Sequence, residues 1–291
     1  MRKILVMSMV SLAVTIMALA HAGGALAQTC GTTVLVTDAN LGDWADNSIG
    51  GANVAFVPGP ATPPLGTGSA EFRVGPNGDD AAQLRNSAYE GTKLSQLTTL
   101  SYSTYVQDNL DGQAPYIILN VDLDGDLTTT NDRDLLFFEP VYQSADFFPT
   151  NPQGPVALNT WQTWDALNGG WWSLNGTAGA TPGTGVKPLS IILASFPNAS
   201  IVNTTSGGGV RLVAGFGAGA WDDFVGNADA FKIGVAGCTT TYNFEPAVGP
   251  PTDKNQCKNN GWKKFNNPAF KNQGQCVSFV ASGGKSGGKR Q

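Results

Sequence analysis

Carboxylates crowd into one short stretch of the chain, between positions 122 and 134. The stretch contains Asp122, Asp124, Asp126, Asp132 and Asp134. Carboxylates this close repel one another unless a cation joins them, and Ca²⁺ binds about 6–8 oxygen ligands in irregular loops. These five residues are therefore predicted metal ligands, with Ca²⁺ as a cofactor that fixes the loop. The alternative is a solvated acidic turn that binds no metal.

Aromatic residues form a second concentration, because four tryptophans lie within twelve positions. The flat apolar face of an exposed tryptophan matches the C–H face of a sugar ring, and a nearby carboxylate accepts hydrogen bonds from hydroxyls. The predicted glycan-binding residues are Trp161, Trp164, Asp165, Trp171 and Trp172. Neighbouring side chains on a strand point to opposite faces, so some of these tryptophans belong to the core. The alternative is that all four are core or lie under loops.

The N-terminal segment has the pattern of a secretory signal peptide. Met1-Arg2-Lys3 is basic, an apolar run extends from Ile4 to about Ala20, and Ala25-Leu26-Ala27 is a small-x-small cleavage site. Residues 1–27 are therefore predicted to be removed, and the alternative is an uncleaved membrane anchor. The protein is expected to be secreted, extracellular or cell-surface associated. Membrane insertion is not expected, because no later stretch approaches about 20 apolar residues.

The only histidine, His21, lies in that signal peptide. Its loss excludes Ser-His-Asp and Cys-His hydrolysis and histidine-ligated metal centres in the mature chain. Glycoside hydrolysis by two carboxylates stays open. The four glutamates of the chain show no paired spacing on a strand, however. No catalytic residue is predicted, and a binding protein is favoured over an enzyme.

Charge divides the mature chain into an acidic body and a basic tail. Residues 28–246 hold 7 Lys and Arg against 21 Asp and Glu, whereas residues 247–291 hold 8 Lys and Arg against one Asp. An acidic body argues against nucleic acid as a partner. The tail is predicted to hold an anionic surface polymer, through Lys258, Trp262, Lys263, Lys264 and Lys271. The alternative is that these lysines only keep the tail soluble.

Four cysteines remain after export to an oxidising compartment, where pairing is expected. They allow three pairings. Position favours Cys30 with Cys238, at the two ends of the acidic body, and Cys257 with Cys276, around the basic tail. A zinc site is the disfavoured alternative, because no Cys-x-x-Cys spacing and no mature histidine are present.

Short apolar runs between turn clusters predict an all-β fold, an antiparallel two-sheet β-sandwich of the jelly-roll type with a small disulfide-closed C-terminal module. Residues 160–167 and 171–174 flank Asn168-Gly169-Gly170 and predict a hairpin. The predicted organisation is a signal peptide over 1–27, an acidic β-sandwich domain over 28–245, a Pro-rich linker over 246–252, a basic Cys-bracketed module over 253–282 and a disordered tail over 283–291.

Two parts of the sequence resemble secreted bacterial proteins. In the body, Gly66-x-Gly68-Ser69 leads into a strand and the Gly226-Asn-Ala-Asp-Ala-Phe-Lys-Ile-Gly234 run forms a closing strand. With the acidic loop, these resemble jelly-roll domains of the concanavalin-like and carbohydrate-binding-module type. In the tail, the CKxxGWxxF pattern from Cys257 and the FKNQGQCVSFV run ending at Val280 resemble a tail that recurs on otherwise unrelated exported bacterial proteins. The second resemblance implies a portable surface-association or export module.

These observations predict a secreted, non-catalytic binding protein that recognises an extracellular polysaccharide or another cell-envelope polymer. Calcium is expected to stabilise it, and the basic tail to hold it near a surface. One alternative is a concanavalin-like glycan hydrolase or lyase that uses carboxylates. Another is a structural or adhesive matrix protein whose tryptophans all lie in the core.

Overall fold

The computed structural model describes residues 30–108, 111–204 and 207–284. The predicted signal peptide lies outside the described residues, as do positions 285–291 of the predicted disordered tail. No helix among the described residues is long and apolar enough to cross a lipid bilayer.

Strands dominate the described residues, and the two α-helices are short. The strands are β1 Thr32–Val36, β2 Trp44–Asp46, β3 Asn53–Pro58, β4 Gly68–Arg73, β5 Ala81–Asn86, β6 Leu97–Val106, β7 Tyr116–Asp122, β8 Arg133–Phe138, β9 Gln162–Asp165, β10 Gly170–Ser173, β11 Lys187–Pro188, β12 Ser200–Ile201, β13 Asn203–Thr204, β14 Gly207–Gly208, β15 Val210–Gly215, β16 Val225–Val235 and β17 Cys238–Phe244. The helices are α1 Leu189–Ser195 and α2 Gln273–Ala281, with 3₁₀ turns at Leu94–Gln96, Pro140–Gln143, Thr177–Gly179, Gly183–Gly185, Lys254–Cys257 and Gly261–Lys264.

The strands form two large sheets, which confirms the predicted two-sheet β-sandwich. The first sheet has seven strands in the order β1-β17-β16-β4-β3, with β6 paired to β16 and β9 paired to β6. The second has eight strands in the order β11-β10-β8-β7-β15-β5-β2, with β12 paired to β7. Strands β13 and β14 form a separate small ribbon. The pairing of β1 with β17 is parallel, so the first sheet is not wholly antiparallel as predicted.

The core lies between the two sheets. Tyr102 of β6 in the first sheet meets Phe138 of β8 in the second, with ring centroids 6.2 Å apart. Phe138 also contacts the ring of Trp171 on β10 at 5.6 Å. Because side chains alternate along a strand, Phe137 points away from this core, to the outer face of the second sheet. That outer face carries the candidate site.

The predicted hairpin over 160–174 is wrong. β9 pairs with β6 in the first sheet, whereas β10 pairs with β8 and β11 in the second. The turn at Asn168-Gly169-Gly170 therefore carries the chain from one sheet to the other. The reason is the burial of two tryptophans. Trp164 on β9 and Trp171 on β10 both lie in the core, and each enters it from a different sheet.

Both predicted disulfides are present. Cys30–Cys238 links the residue two positions before β1 to the first residue of β17, with Cα atoms 4.5 Å apart. Cys257–Cys276 links a 3₁₀ turn to α2 and closes the C-terminal module, with Cα atoms 5.7 Å apart. Each bond joins elements that are already neighbours in the fold.

The C-terminal module has a small core of its own. Phe265 contacts Phe270 at 6.2 Å, and Phe270 contacts Phe279 of α2 at 5.5 Å. Helix α2 begins after Asn272, whose side chain accepts a hydrogen bond from the Gln275 backbone N–H at 2.9 Å. That bond satisfies one of the free N–H groups of the first turn.

The Pro-rich segment before the module is hydrogen-bonded on both sides, to the sandwich and to the module. The Ala247 backbone N–H donates to Asp38 of the sandwich at 2.8 Å. The Val248 backbone N–H donates to Asn266 of the module at 2.6 Å, and Asn266 donates back to the Pro246 carbonyl at 3.0 Å. Hydrogen bonds therefore tie this segment to both the sandwich and the module.

Candidate functional site

A groove with a cavity volume of about 490 Å³ opens on the outer face of the eight-stranded sheet. Its floor is built by residues from four neighbouring strands, β10, β8, β7 and β15. Positions 116 and 118 on β7 line it, as do 135 and 137 on β8. Side chains two positions apart point to the same face of a strand, so these pairs of residues all face the groove.

One cross-strand row crosses the groove from an arginine to a tryptophan. Arg211 on β15 pairs with Ile118 on β7. Ile118 pairs with Phe137 on β8, and Phe137 pairs with Trp172 on β10. Three interstrand spacings of about 4.8 Å place Arg211 and Trp172 roughly 14 Å apart along the sheet. The row therefore presents a cation, an apolar floor and an indole to one elongated ligand.

Aromatic side chains pack against one another across this floor. The rings of Phe137 and Trp172 are stacked, with centroids 3.9 Å apart and an interplanar angle of 7°. Tyr116 packs against Trp221 at 5.6 Å on the other side of the groove. At the rim, the large apolar side chains of Leu174 and Phe216 are 60% and 46% exposed. A ligand lying in the groove would cover both.

Glu139 supplies the groove with a carboxylate. The Trp172 Nε1–H donates to its Oε1 at 3.1 Å. Burial raises the pKa of Glu139 to about 7, and the hydrogen bond from Trp172 opposes that rise. At neutral pH this side chain therefore both accepts and donates hydrogen bonds, according to its protonation state.

Arg211 lies at the opposite end of the row. It is only 8% exposed, and it donates from Nη1 to Gln83 at 3.2 Å and from Nη2 to Asn120 at 2.8 Å. Both acceptors are neutral amides. Its Nε–H has no hydrogen-bond partner among the described residues. Burial lowers the pKa of the guanidinium, although not enough to remove its charge.

A smaller cavity of about 110 Å³ extends the groove toward the acidic loop. It shares Leu135 and Leu174 with the groove and adds polar side chains at its far end, among them Arg133 and Asn175. The two cavities share these two leucines, so they lie next to each other on the outer face of the sheet.

The acidic loop connects β7 to β8, the two strands at the centre of the groove floor. Carboxylate oxygens of Asp122, Asp124 and Asp132 lie within 4.8 Å of one another. Asp122 is fully buried, and its Oδ2 lacks a hydrogen bond among the described residues, although the Arg133 Nε lies 3.7 Å away. Burial and the charge of Asp132 raise the pKa of Asp122. Gly125 makes the tight turn, with a φ of +80°.

The other two predicted ligands lie outside this group. Asp126 accepts hydrogen bonds from the Thr128 hydroxyl at 2.6 Å and from its backbone N–H at 3.1 Å, and these lower the pKa of Asp126. Asp134 is buried, and it accepts hydrogen bonds from Asn175 and from the Thr177 hydroxyl. The structure therefore brings together three of the five predicted metal ligands.

The predicted glycan-binding tryptophans separate into different environments. Trp164 and Trp171 are 0% exposed in the core, so the prediction that they contact a glycan is wrong for both. Trp161 is half-buried, packs on Tyr105 at 5.6 Å and donates to the Pro60 carbonyl at 2.9 Å, away from the groove. Asp165 is exposed and accepts hydrogen bonds from Asn168 at 2.8 and 3.2 Å. Trp172 alone of this set lines the groove.

Several groove residues were missed by the sequence reasoning. They are Tyr116, Ile118, Phe137, Glu139, Arg211 and Trp221. A signal was present, because Tyr116–Leu119 and Leu135–Phe138 are apolar at every position. A strand at the surface of a sandwich alternates apolar and polar residues, so a continuous apolar run indicates that its outer face is also covered or concave.

The predicted surface-association residues lie on the C-terminal module. Lys258, Lys263, Lys264 and Lys271 are all exposed. Trp262 is half-buried, with the Lys263 Nζ 5.5 Å from its ring centroid. The lysines and the indole are therefore available on one small unit.

Comparison with known proteins gives two distant structural likenesses. One is the family 11 carbohydrate-binding module of the cellulosomal cellulase Lic26A-Cel5E of Clostridium thermocellum, with a TM-score of 0.35 and 11% identity over 69% of this chain and 92% of that chain. The other is SGBP-B from a complex xyloglucan utilization locus in Bacteroides uniformis, with a TM-score of 0.30 and 10% identity over 65% of this chain and 46% of that chain. No protein-family model and no curated protein matches the sequence. Likenesses this distant give no information about function.

Proposed function

We propose that this protein is a non-catalytic binding protein that holds an extracellular polysaccharide in the groove on its eight-stranded sheet. The cross-strand row from Arg211 to Trp172 carries the proposal. It combines an apolar floor with hydrogen-bonding groups at both ends, which is the surface that a sugar chain needs. Ring faces of sugars are apolar and their edges carry hydroxyls, so both kinds of contact are used along one ligand.

The groove favours binding over hydrolysis. Hydrolysis by carboxylates needs two acids about 5–9 Å apart on either side of the scissile bond. Among the described residues that line the groove, Glu139 is the one carboxylate. Its raised pKa suits a proton donor, but it has no second acid as a partner there. A groove with one carboxylate supports retention of a ligand rather than its cleavage.

The acidic loop extends the proposal to calcium. Asp122, Asp124 and Asp132 would hold a Ca²⁺ ion between the ends of β7 and β8. The ion would offset the repulsion among their charges and fix the hairpin that carries the centre of the groove floor. Calcium in this account is structural and does not contact the polysaccharide.

The remaining parts of the proposal concern location. The predicted N-terminal signal peptide and the two disulfides would fit a secreted bacterial protein. The exposed lysines of the C-terminal module would associate with an anionic cell-envelope polymer while the sandwich holds its ligand. The sandwich and the C-terminal module would then perform different tasks.

Affinity electrophoresis tests the groove. The mature protein is run through gels that contain β-glucan, xylan, mannan or pectin, and retardation in at least one gel is expected. Trp172→Ala should abolish the retardation, whereas Trp161→Ala is the matched control because Trp161 lies away from the groove. Equal loss in both variants, or no retardation of the wild type in any gel, would contradict the proposal.

A further inference from the structure

The groove contains a buried positive charge for which the protein supplies no negative partner. Arg211 is only 8% exposed, and its two hydrogen bonds go to the side-chain amides of Gln83 and Asn120. Among the described residues, no carboxylate lies within salt-bridge distance of its guanidinium. The Nε–H also lacks an acceptor. A buried cation in this state is destabilising until an anion or another acceptor reaches it.

A second arginine lies beside it. Arg85 on β5 is the direct cross-strand partner of Arg211, and its Nε–H donates to the Gly208 carbonyl at 3.1 Å. Like charges directly opposite each other on a sheet are destabilising. The sandwich therefore places two of its few cations side by side, although it has many carboxylates available for pairing. This arrangement lowers the stability of the fold unless a bound anion neutralises the two charges.

Among the described residues, the one carboxylate that lines the groove forms no salt bridge with the pair. Glu139 lies beyond Phe137 on β8 and hydrogen-bonds to Trp172, at the other end of the row. The groove is thus polarised, with Arg211 of β15 at one end and the Glu139 carboxylate beside β10 at the other. An elongated ligand would meet the two ends with different parts of its length.

We propose that the groove selects polysaccharides that carry anionic sugar units, with a carboxylate or sulfate seated on Arg211. This inference rests on the proposed function, because it specifies the ligand of the same groove. A guanidinium presents five N–H donors in a planar fork, and Arg211 uses two of them within the protein. A planar carboxylate matches that fork with two parallel hydrogen bonds, which a neutral hydroxyl cannot do. The anion would also compensate the charge that the fold leaves buried.

Matched pairs of polymers separate charge from sugar type. The full-length mature protein is measured by affinity electrophoresis against polygalacturonate and its fully methyl-esterified form, and against carrageenan and agarose. The first pair tests carboxylate; carrageenan is also compared with its chemically desulfated form, which has the same sugar backbone, and that comparison tests sulfate. We expect at least about tenfold tighter binding to one anionic polymer than to its neutral match, the size of a charge-assisted hydrogen bond.

Variants separate the groove from the basic tail, which also attracts anions. Arg211→Gln should remove the preference for the anionic polymer. Arg73→Gln, which deletes the same charge from β4 of the other sheet, should change the affinity by less than about threefold. Arg211→Lys keeps the charge, disturbs folding least and loses the planar fork, so it should weaken the same binding by about threefold or more.

Three results would contradict the inference, and they differ in what they imply for the proposed function. Tighter binding to an anionic polymer that survives Arg211→Gln and Arg211→Lys, with both variants folded, places the anion on the tail and overturns the inference. Equal binding to the charged and neutral member of each pair overturns the inference while leaving the proposed function intact. No binding to any of these polymers, together with no binding to neutral glucan, xylan or mannan, overturns both.

Discussion

The Nε1–H of Trp172 on β10 donates a 3.1 Å hydrogen bond to Oε1 of Glu139, the residue that follows β8. The same indole is stacked on Phe137, so it is fixed both by its ring face and by its polar edge. Two contacts of different chemistry thus hold one groove residue in place. Because the acceptor is a titratable group, the geometry of the groove is linked to pH.

Replacing this acid should change how stability depends on pH. The pKa of Glu139 is raised by burial from 4.5 to about 7 in the folded protein. A raised folded-state pKa means that stability is fully present below about pH 4.5 and is lost as pH rises toward 7. Glu139→Gln keeps an acceptor for Trp172 and removes the ionisation. It should lessen the loss of unfolding free energy between pH 5 and pH 8 by up to about 3 kcal/mol.

Urea denaturation of both proteins at pH 5 and pH 8 measures this difference. Asp229 is buried, and burial raises its pKa to about 6, so it contributes in the same direction in both proteins and cancels from the comparison. Glu90→Gln, at an exposed carboxylate outside the groove, is the matched control and should follow the wild type. An unchanged pH dependence in Glu139→Gln would show that this carboxyl group ionises normally.

The core tryptophans should matter to stability. Trp164 is 0% exposed and donates to the Thr104 hydroxyl at 2.8 Å. Trp164→Ala removes a large buried side chain and leaves that hydroxyl without its donor, so it should lower the unfolding free energy by about 3–5 kcal/mol. Trp161→Ala, at a half-buried position, should lower it by less than about 2 kcal/mol. Chemical denaturation measures both, and similar losses would contradict the assignment of Trp164 to the core.

The sequence predicted the strands better than their partners. Local patterning was enough for strands such as β6 and β7, because runs of Thr, Tyr and Ile favour strands at any position in a fold. The pairing of β9 and β10 was mispredicted, because Asn168-Gly169-Gly170 is compatible both with a hairpin and with a crossover between sheets. Only the tertiary burial of Trp164 and Trp171 decides between them.

The row of side chains that crosses the groove could not be predicted from the sequence, for a related reason. Arg211, Ile118, Phe137 and Trp172 come from four separate segments, and only the register of three strand pairs aligns them. Register is set by packing across the whole sheet, and a shift by one residue would move each side chain to the other face. The disulfides were predictable, because the positions of the cysteines at the ends of two modules already restricted the pairing.

Calcium should raise the melting temperature of the protein if it binds the acidic loop, because a ligand that binds only the folded state stabilises that state. Asp124→Ala should abolish the shift, since Asp124 belongs to the group of three close carboxylates. Asp126→Asn is the matched control, because Asp126 lies in the same loop but hydrogen-bonds to Thr128. Differential scanning fluorimetry in EDTA and in excess Ca²⁺ measures both. If the wild type melts identically in EDTA and in excess Ca²⁺, the loop is an acidic turn that binds no calcium.

The C-terminal module should hold the protein on an anionic envelope through charge. Its lysines at 258, 263, 264 and 271 are exposed, whereas the sandwich is acidic and would be repelled by such a surface. Exposed charges are screened over about 8 Å at physiological ionic strength, so retention on isolated bacterial envelopes should fall steeply toward about 0.5 M NaCl. Replacing these four lysines with glutamine in the full-length mature chain should reproduce that loss at low salt.

Trp262 provides the opposing account of the same retention. It is half-buried beside Lys263, so an apolar contact through its ring would also hold the module on a surface, but that contact would resist salt. If charge dominates, Trp262→Ala should leave the retained fraction nearly unchanged, provided that hydrogen exchange shows α2 to be intact. Co-sedimentation with envelopes across a salt series measures the wild type and both variants. Salt-resistant retention that Trp262→Ala removes would assign the contact to the indole, and an absence of retention in every protein would remove the anchoring role of the module.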